Sequence, residues 1–501
     1  MGMSASGAAG NGVGGRTDVG EAGSAGEDGR KPDCLSNNDC QGVGPSHLCL
    51  GGSCLHVTSD DCPIVIGANP LPPEPILFGA FGRFDISLLG SEPLYWNFRL
   101  AVREFADRGG IPIDGVNRRP MIVLCSGGTG EGPDALNSSL DHLLDELRVP
   151  GVLMLTPAAD VEYAAGYAAA RAQHAFMLHH LGAGQRLLEL DDDDLIWHMR
   201  GSNLDIAAAY VPLVERIEQR INPDAPSSRP TRLVLTMYDD GHFMTEMAQL
   251  LTEMLRINER PAADQAVEGN FVVVVRDGSS ETTADAVAGV EPDIVVDLTG
   301  ESFLLSLIDN RMGMRGAPLP LYVLPLTLSQ SDVLASMVGV SPSLRQRVVG
   351  VDHAGARDQS LYDLYLARLK PLAPFVSLDR SEQFYDAAYF LFLSAAAGAR
   401  ESRLEARDLA AGMRRLIQGE RYDIGSPARI NQILDRLTSD SDATLSLYAT
   451  LGPPEFDPAT GTRIGTAGIW CFDEGHRIQY DVLRFIPETG ELEGNFPCFD
   501  L

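Results

Sequence analysis

Nine short runs of β-branched and aliphatic residues punctuate the chain: ILFGAF, MIVLC, GVLML, AFMLHH, RLVLTM, FVVVV, DIVVDL, LPLYVL and RVVGV. Between them lie longer segments whose apolar residues recur at helical spacing. Leu94, Phe98, Ala101, Val102 and Phe105 share one helical face, as do Leu136, Leu140, Leu143, Leu144 and Leu147, and later Phe243, Met247, Leu250, Leu251 and Met254. A helix buries one stripe, whereas a run that is apolar at every position is a strand covered on both faces. The alternation therefore predicts repeated strand–helix units around parallel sheets. Nine buried strands are too many for one small, evenly covered sheet, and 501 residues exceed one compact core, so two lobes are expected. The helical stripes are core faces and imply no cofactor.

The chain carries 39 Lys and Arg against 69 Asp and Glu, a formal charge of -30. Phosphate neutralisation needs clustered cations, so a nucleic-acid partner is not expected. A solvated acidic surface accounts for the excess. No stretch reaches the roughly eighteen apolar residues of a spanning helix; Ala387 to Ala397 is shorter and is interrupted by Ser394. Residues 1–30, rich in Gly, Ala, Ser and Asp, read as a flexible tether with no visible signal peptide. A secretion or lipid-anchoring signal is expected upstream of this start.

That expectation of export comes from the cysteines. Five of the eight fall within residues 34–62, and Cys34, Cys40, Cys49 and Cys54 follow a C-x5-C-x8-C-x4-C spacing among Gly, Asn and Ser. Such a segment cannot build an apolar core and needs cross-links, which form in an oxidising compartment. The expected knot joins Cys34 to Cys49 and Cys40 to Cys54, although four cysteines allow three pairings and sequence does not choose. The 31–62 module resembles the cysteine-rich spacer found after the anchor in some bacterial exported proteins. Cys471 with Cys498 and Cys62 with Cys125 are the remaining candidate pairs, with free buried thiols as the alternative. A four-cysteine zinc site lacks the usual C-x2-C pair.

Other chemistry finds little support. The loop SGGTGEG after MIVLC places Gly128, Gly130 and Gly132 before a helix, as in dinucleotide folds, but in G-x-G-x-G rather than G-x-G-x-x-G order and not after the first strand. His174, His179 and His180 precede Asp191 to Asp194, yet strand alternation sends the two adjacent histidines to opposite faces, against a metal site. There is no G-x-S-x-G, H-E-x-x-H, Walker loop or EF-hand spacing. No cofactor and no enzymatic activity are expected.

Read in order, several segments carry a resemblance. ILFGAFGRF precedes LYWNFRLAVREFADRGGI; MIVLCSGGTGEGPDALNSSLDHLLDELRVPGVLML follows; then come DDLIWHMRGSNLDIAAAYVPLV, RLVLTMYDDGHFMTEMAQLL, EPDIVVDLTGESF and SEQFYDAAYFLFLSAAAGA. From about Pro75 to the end the chain resembles the branched-chain amino-acid-binding (leucine-binding-like) family of type I periplasmic binding proteins, which also includes receptor ligand-binding regions. The resemblance implies an α/β fold of two lobes, each a mostly parallel sheet flanked by helices, joined by three crossovers. The first lobe would comprise 75–197 and 356–452, the second 198–355 and 462–501.

The resemblance also places a ligand in the interlobe cleft. Its first-lobe contacts would be Arg83 with Phe84, the Thr156-Pro157-Ala158-Ala159 loop, whose Thr156 hydroxyl would take a carboxylate, and Gly182, Ala183 and Gly184, which offer only backbone. Those of the second lobe would be His242 with Phe243, Gly300 with Glu301, and Thr327, with Glu301 balancing an ammonium group. The implied function is an exported periplasmic or envelope protein that captures a small, amino-acid-like solute for an ABC permease. The alternatives are a sensory or interaction lipoprotein with the same fold and, third, a dinucleotide-dependent enzyme using the Gly128 loop.

Overall fold

The computed structural model describes residues 34–495 apart from short segments, of which the longest is 326–340. All nine apolar runs form strands, divided between two sheets. The first sheet runs, edge to edge, Phe456–Asp457, Thr462–Arg463, Ile196–His198, Phe176–His179, Gly151–Leu155, Pro75–Gly82, Val116–Ser126 and Ile64–Ile66, with Ile111–Ile113 paired to Val116–Ser126. Its six central strands are parallel, and its outermost pairings are antiparallel. The second runs Phe271–Val275, Leu233–Met237, Ile294–Asp297, Leu321–Leu324, Val348–His353, Ala467–Phe472, Ile478–Ile486 and Glu491–Gly494. Its first five strands are parallel, and the last three continue it as an antiparallel meander.

Helices cover both sheets because each buries one apolar stripe. Leu94, Phe98, Ala101, Val102 and Phe105 of helix Pro93–Asp107 are buried, as are all five leucines of the stripe from Leu136 to Leu147. Helix Glu382–Gly398 is buried at every position but Phe384, which explains why it is apolar all round. Its polar residues are fastened within the core. Tyr385 and Tyr389 donate their hydroxyls to Glu104, which also pairs with Arg368 Nη1 at 2.7 Å. Asp386 accepts from Thr450 N at 3.2 Å, Thr450 Oγ1 at 2.9 Å and Leu451 N at 2.8 Å. Gly350 has its own reason: the Trp470 ring lies 2.1 Å from where a Cβ would stand, so only glycine lets the indole cross that strand.

The chain passes between the sheets three times: from His198 to helix Asn203–Ile221, from His353 to helix Gln359–Leu369, and from Arg463 to Ala467. The crossings are packed backbone to backbone. A Cβ on Gly182 would meet the carbonyl oxygen of Gly201 at 1.8 Å, and one on Gly201 would lie 2.7 Å from the Cα of Gly465. Arg200 ties them together, donating to Ala354 O at 3.3 Å and Gln383 Oε1 at 3.1 Å, with Glu382 3.7 Å away.

The cysteine module is cross-linked as Cys34–Cys49 and Cys40–Cys54 around the hairpin His47–Leu50 and Ser53–His56. It is strapped to the first lobe. Cys62 pairs with Cys125 of a central strand, Ser126 N donates to Asp61 O at 2.8 Å, and Asn37 Nδ2 donates to Pro72 O at 3.0 Å. Strand Ile64–Ile66 then closes the sheet edge antiparallel to Val116–Ser126. Cys471 is disulfide-bonded as well, and Cys498 lies outside the described residues.

Candidate functional site: the cleft between the lobes

Parallel strands deliver their carboxyl ends to one edge of a sheet, where helix amino-termini also converge. Here those two edges face each other. The short helix Gln185–Leu188, beyond the carboxyl end of Phe176–His179, meets helix Phe243–Met254 of the other lobe: Gln185 N donates to Glu246 Oε1 at 2.9 Å and Oε2 at 3.0 Å. Gly184, one of the expected ligand residues, is the N-cap of that short helix, and a Cβ there would touch the Glu246 carboxylate at 2.7 Å. The Glu246 carboxylate thus sits against the residue that follows the expected Gly182-Ala183-Gly184 run. Gly182 is spent on the close crossing with Gly201, and Ala183 lies outside the described residues.

The other first-lobe residues gather around Asp160, in the first turn of helix Ala158–Ala170. Arg83 grips it in a fork, Nε to Oδ2 at 2.6 Å and Nη2 to Oδ1 at 2.9 Å, and the Thr156 hydroxyl donates to the same carboxylate. The Thr156 side chain is buried. Ala158 and Ala159 open the helix, Pro157 lies outside the described residues, and Phe84 sits partly buried with its carbonyl accepting from Ser126 Oγ at 2.7 Å.

In the second lobe, Glu301 is the N-cap residue of helix Ser302–Arg315. Arg276 Nη1 pairs with its Oε1, the Tyr238 hydroxyl donates to the same oxygen, and Ser280 Oγ donates to Oε2 at 2.9 Å. Arg276 also donates to the Tyr238 hydroxyl and, through Nη2, to Ser280 Oγ at 3.2 Å. Behind this cluster Asp297 is buried, accepting from Thr236 Oγ1 at 2.5 Å and Thr299 Oγ1 at 2.7 Å; burial raises its pKa. His242, Gly300, Thr327 and the side chain of Phe243 lie outside the described residues.

Histidines line the hinge side of the first lobe. His179 Nε2 lies 2.9 Å from Thr156 O, which fixes the proton on that nitrogen and leaves Nδ1 as an acceptor for His198 Nδ1–H at 3.2 Å. Burial pushes His179 down to about 4 and holds His198 well below its ordinary value, with the His179 charge adding to the latter. His180, stacked on Phe384 with ring centroids 5.1 Å apart, is pushed down to about 3 by burial and by His179. His174 and Asp191–Asp193 line a separate pocket of about 120 Å³. Among the described residues the one set of three His, Cys, Asp or Glu side chains close enough to share an ion is Cys34, Cys40 and Cys54, whose sulfurs are in disulfides.

No protein-family model matches the sequence, and no curated protein matches it. Solved structures do. A branched-chain amino acid transporter substrate-binding protein from Streptococcus pneumoniae, in complex with isoleucine, superposes with a TM-score of 0.57 at 12% identity, covering 82% of this chain and 100% of that one. A leucine-binding protein from Thermotoga maritima gives 0.56 at 10% identity, covering 83% and 99%. A solute-binding protein of an ABC transporter from R. palustris, in complex with benzoate, gives 0.57 at 10% identity, covering 85% and 99%. The fold is that of the type I periplasmic binding proteins. Around the expected residues stand groups that sequence reasoning did not single out: Asp160, Glu246, Tyr238, Arg276 and Ser280. One had a local signal, since Asp160 stands four residues after Thr156 on a helix start; the others meet only through the fold.

Proposed function

We propose that this chain is an exported solute-binding protein that captures a small molecule between its lobes, its closed form being the species an ABC-type permease recognises. No bond is made or broken. The observation that carries this reading is the pair of parallel-sheet edges facing each other over three tightly packed crossings, with polar residues from both lobes at those edges. Such a geometry lets one ligand touch both lobes and shift an open–closed equilibrium by its differential affinity. The solved structures of this fold hold isoleucine and benzoate, so the architecture accepts small organic solutes of different chemistry. The disulfides fit an oxidising compartment, and among the described residues no helix is long and apolar enough to cross a membrane.

A sensory or interaction protein of the same fold is the second reading. It is favoured by Glu246, whose carboxylate joins the two lobes directly. A thermal-shift screen of the full chain against amino acids, amides, aromatic acids, sugars and short peptides tests binding. A dose-dependent rise in melting temperature with one class is expected; no rise with any class contradicts the solute-binding reading.

A further inference from the structure

We propose that the edge strand Phe271–Val275 of the second lobe is a self-association site, which pairs antiparallel with the same strand of a second copy of this chain. A sheet edge presents a row of unpaired N–H and C=O groups, and stable folds blunt it by shortness, charge, proline or cover. The two large sheets have four edges, and three of them are blunted in this way. Phe456–Asp457 has two residues, Ile64–Ile66 has three, and Glu491–Gly494 carries Glu491 and Glu493 exposed. The fourth, FVVVV, runs five residues in unbroken register with Leu233–Met237 and contains no charge, proline or glycine. Among the described residues no strand pairs with its outer side. Val273 and Val275 are 40% and 45% exposed, and Val267, which ends the helix before the strand, is 90% exposed.

The backbone determines which groups are available. Asn270 O accepts from Leu233 N at 2.8 Å, and Arg276 N donates to Met237 O at 2.8 Å, both toward the neighbouring strand. Successive residues of a strand turn their backbone groups to opposite sides, so those of Phe271, Val273 and Val275 face outward. An antiparallel copy centred on Val273 engages all of them. Val273 then lies opposite the second copy's Val273, and Phe271 opposite the second copy's Val275, each pair exchanging both of its hydrogen bonds. The exposed valines leave water as the strands meet. This self-matching selects a second copy as the occupant, since every outward group on the strand finds its partner on the same strand turned round. No like charges face each other along it, although the chain as a whole carries -30 and repels its copies elsewhere. The operation is a two-fold rotation, so association closes at a dimer.

The test is sedimentation equilibrium of the full chain over a wide concentration range, for wild type, Val273→Lys and Val273→Thr. Expected is a reversible monomer–dimer equilibrium in wild type. Val273→Lys sets two ammonium groups face to face at the two-fold axis and should weaken the dimer at least tenfold at an unchanged melting temperature. Val273→Thr, β-branched and uncharged, should keep it. The register is read by oxidative cross-linking, which also decides the matter if Val273→Lys fails to fold. Val273→Cys should give a covalent dimer, because the Cα atoms of such a pair stand about 5.5 Å apart, within disulfide reach. Val275→Cys, which faces the second copy's Phe271, should not. A wild type that is monomeric at every concentration overturns the proposal and leaves the edge to an extended segment of another protein. A dimer indifferent to Val273→Lys, or cross-linked through Val275→Cys and not Val273→Cys, overturns the strand pairing, and open-ended oligomers overturn its two-fold closure.

Discussion

Asp386 shows how a residue can be legible in sequence for one reason and matter in structure for another. The segment SEQFYDAAYFLFLSAAAGA carries part of the resemblance, yet its Tyr385 and Asp386 are buried inside helix Glu382–Gly398. They fasten a buried helix, Tyr385 to Glu104 and Asp386 to the 450–451 backbone. Asp386→Asn keeps one acceptor oxygen and sets an NH2 against Leu451 N–H, so it is expected to destabilise the fold by about 1–3 kcal/mol, read as a lower urea midpoint with an unchanged slope. The buried histidines allow a sharper test. His179 is held down to about 4, below its unfolded value near 6.5. Its contribution is therefore present above pH 6.5 and is lost as pH falls through 4, because the unfolded chain takes up the proton first. Asp386, raised to about 6 by burial, titrates with the opposite sign, so the difference between proteins is the quantity to follow. His179→Gln keeps a donor and an acceptor without a titrating ring. The stability of wild type minus that of the variant should shrink on acidification from pH 7 to pH 4; a constant difference refutes the assignment. The cleft residues were less legible for a physical reason. Arg83, Thr156 and Glu301 were named from their place in the order of segments; Asp160 follows Thr156 by four residues, but Arg276 and Tyr238 reach Glu301 through tertiary contacts that no spacing encodes.

At the scale of elements, the long buried strands and the amphipathic helices were readable because period and burial coincide over many residues. The strands that escaped are short. Ile64–Ile66 and Ile196–His198 have three residues each, too few to display a period, and Glu420–Asp423 pairs with Leu445–Tyr448 while remaining largely polar and exposed. Disulfide pairing was open by sequence and is settled by proximity: Cys62 and Cys125 come together only because the 57–66 segment runs along the sheet edge. That bridge closes a loop with a sequence separation of 63, for which chain entropy gives about 4 kcal/mol. The Cys62→Ser, Cys125→Ser double variant should therefore unfold at clearly lower denaturant than wild type, and an equal midpoint would show that the reduced unfolded chain gains nothing from the opened loop. The same strap makes the cysteine module part of the first lobe, so a membrane tether attached before it would hold that lobe and leave the second to move.

For the whole molecule, two lobes meet through three crossings, packed so closely that Gly182, Gly201 and Gly465 have no room for a side chain, and, among the described residues, also through a bridge from Glu246 to the Gln185 amide. The bridge is exposed to solvent competition and its loss should be tolerated by both cores, so Glu246→Ala is expected to widen the cleft without unfolding either lobe. Closure around a solute is the claim on which the functional reading stands. Small-angle scattering of the full chain measures it directly, on wild type and Glu246→Ala, alone and with mixtures of neutral sugars or amino acids. The account predicts a larger radius of gyration for the variant alone, and a decrease in both proteins with the mixture that raises the melting temperature; a radius indifferent to Glu246 and to every solute would contradict it.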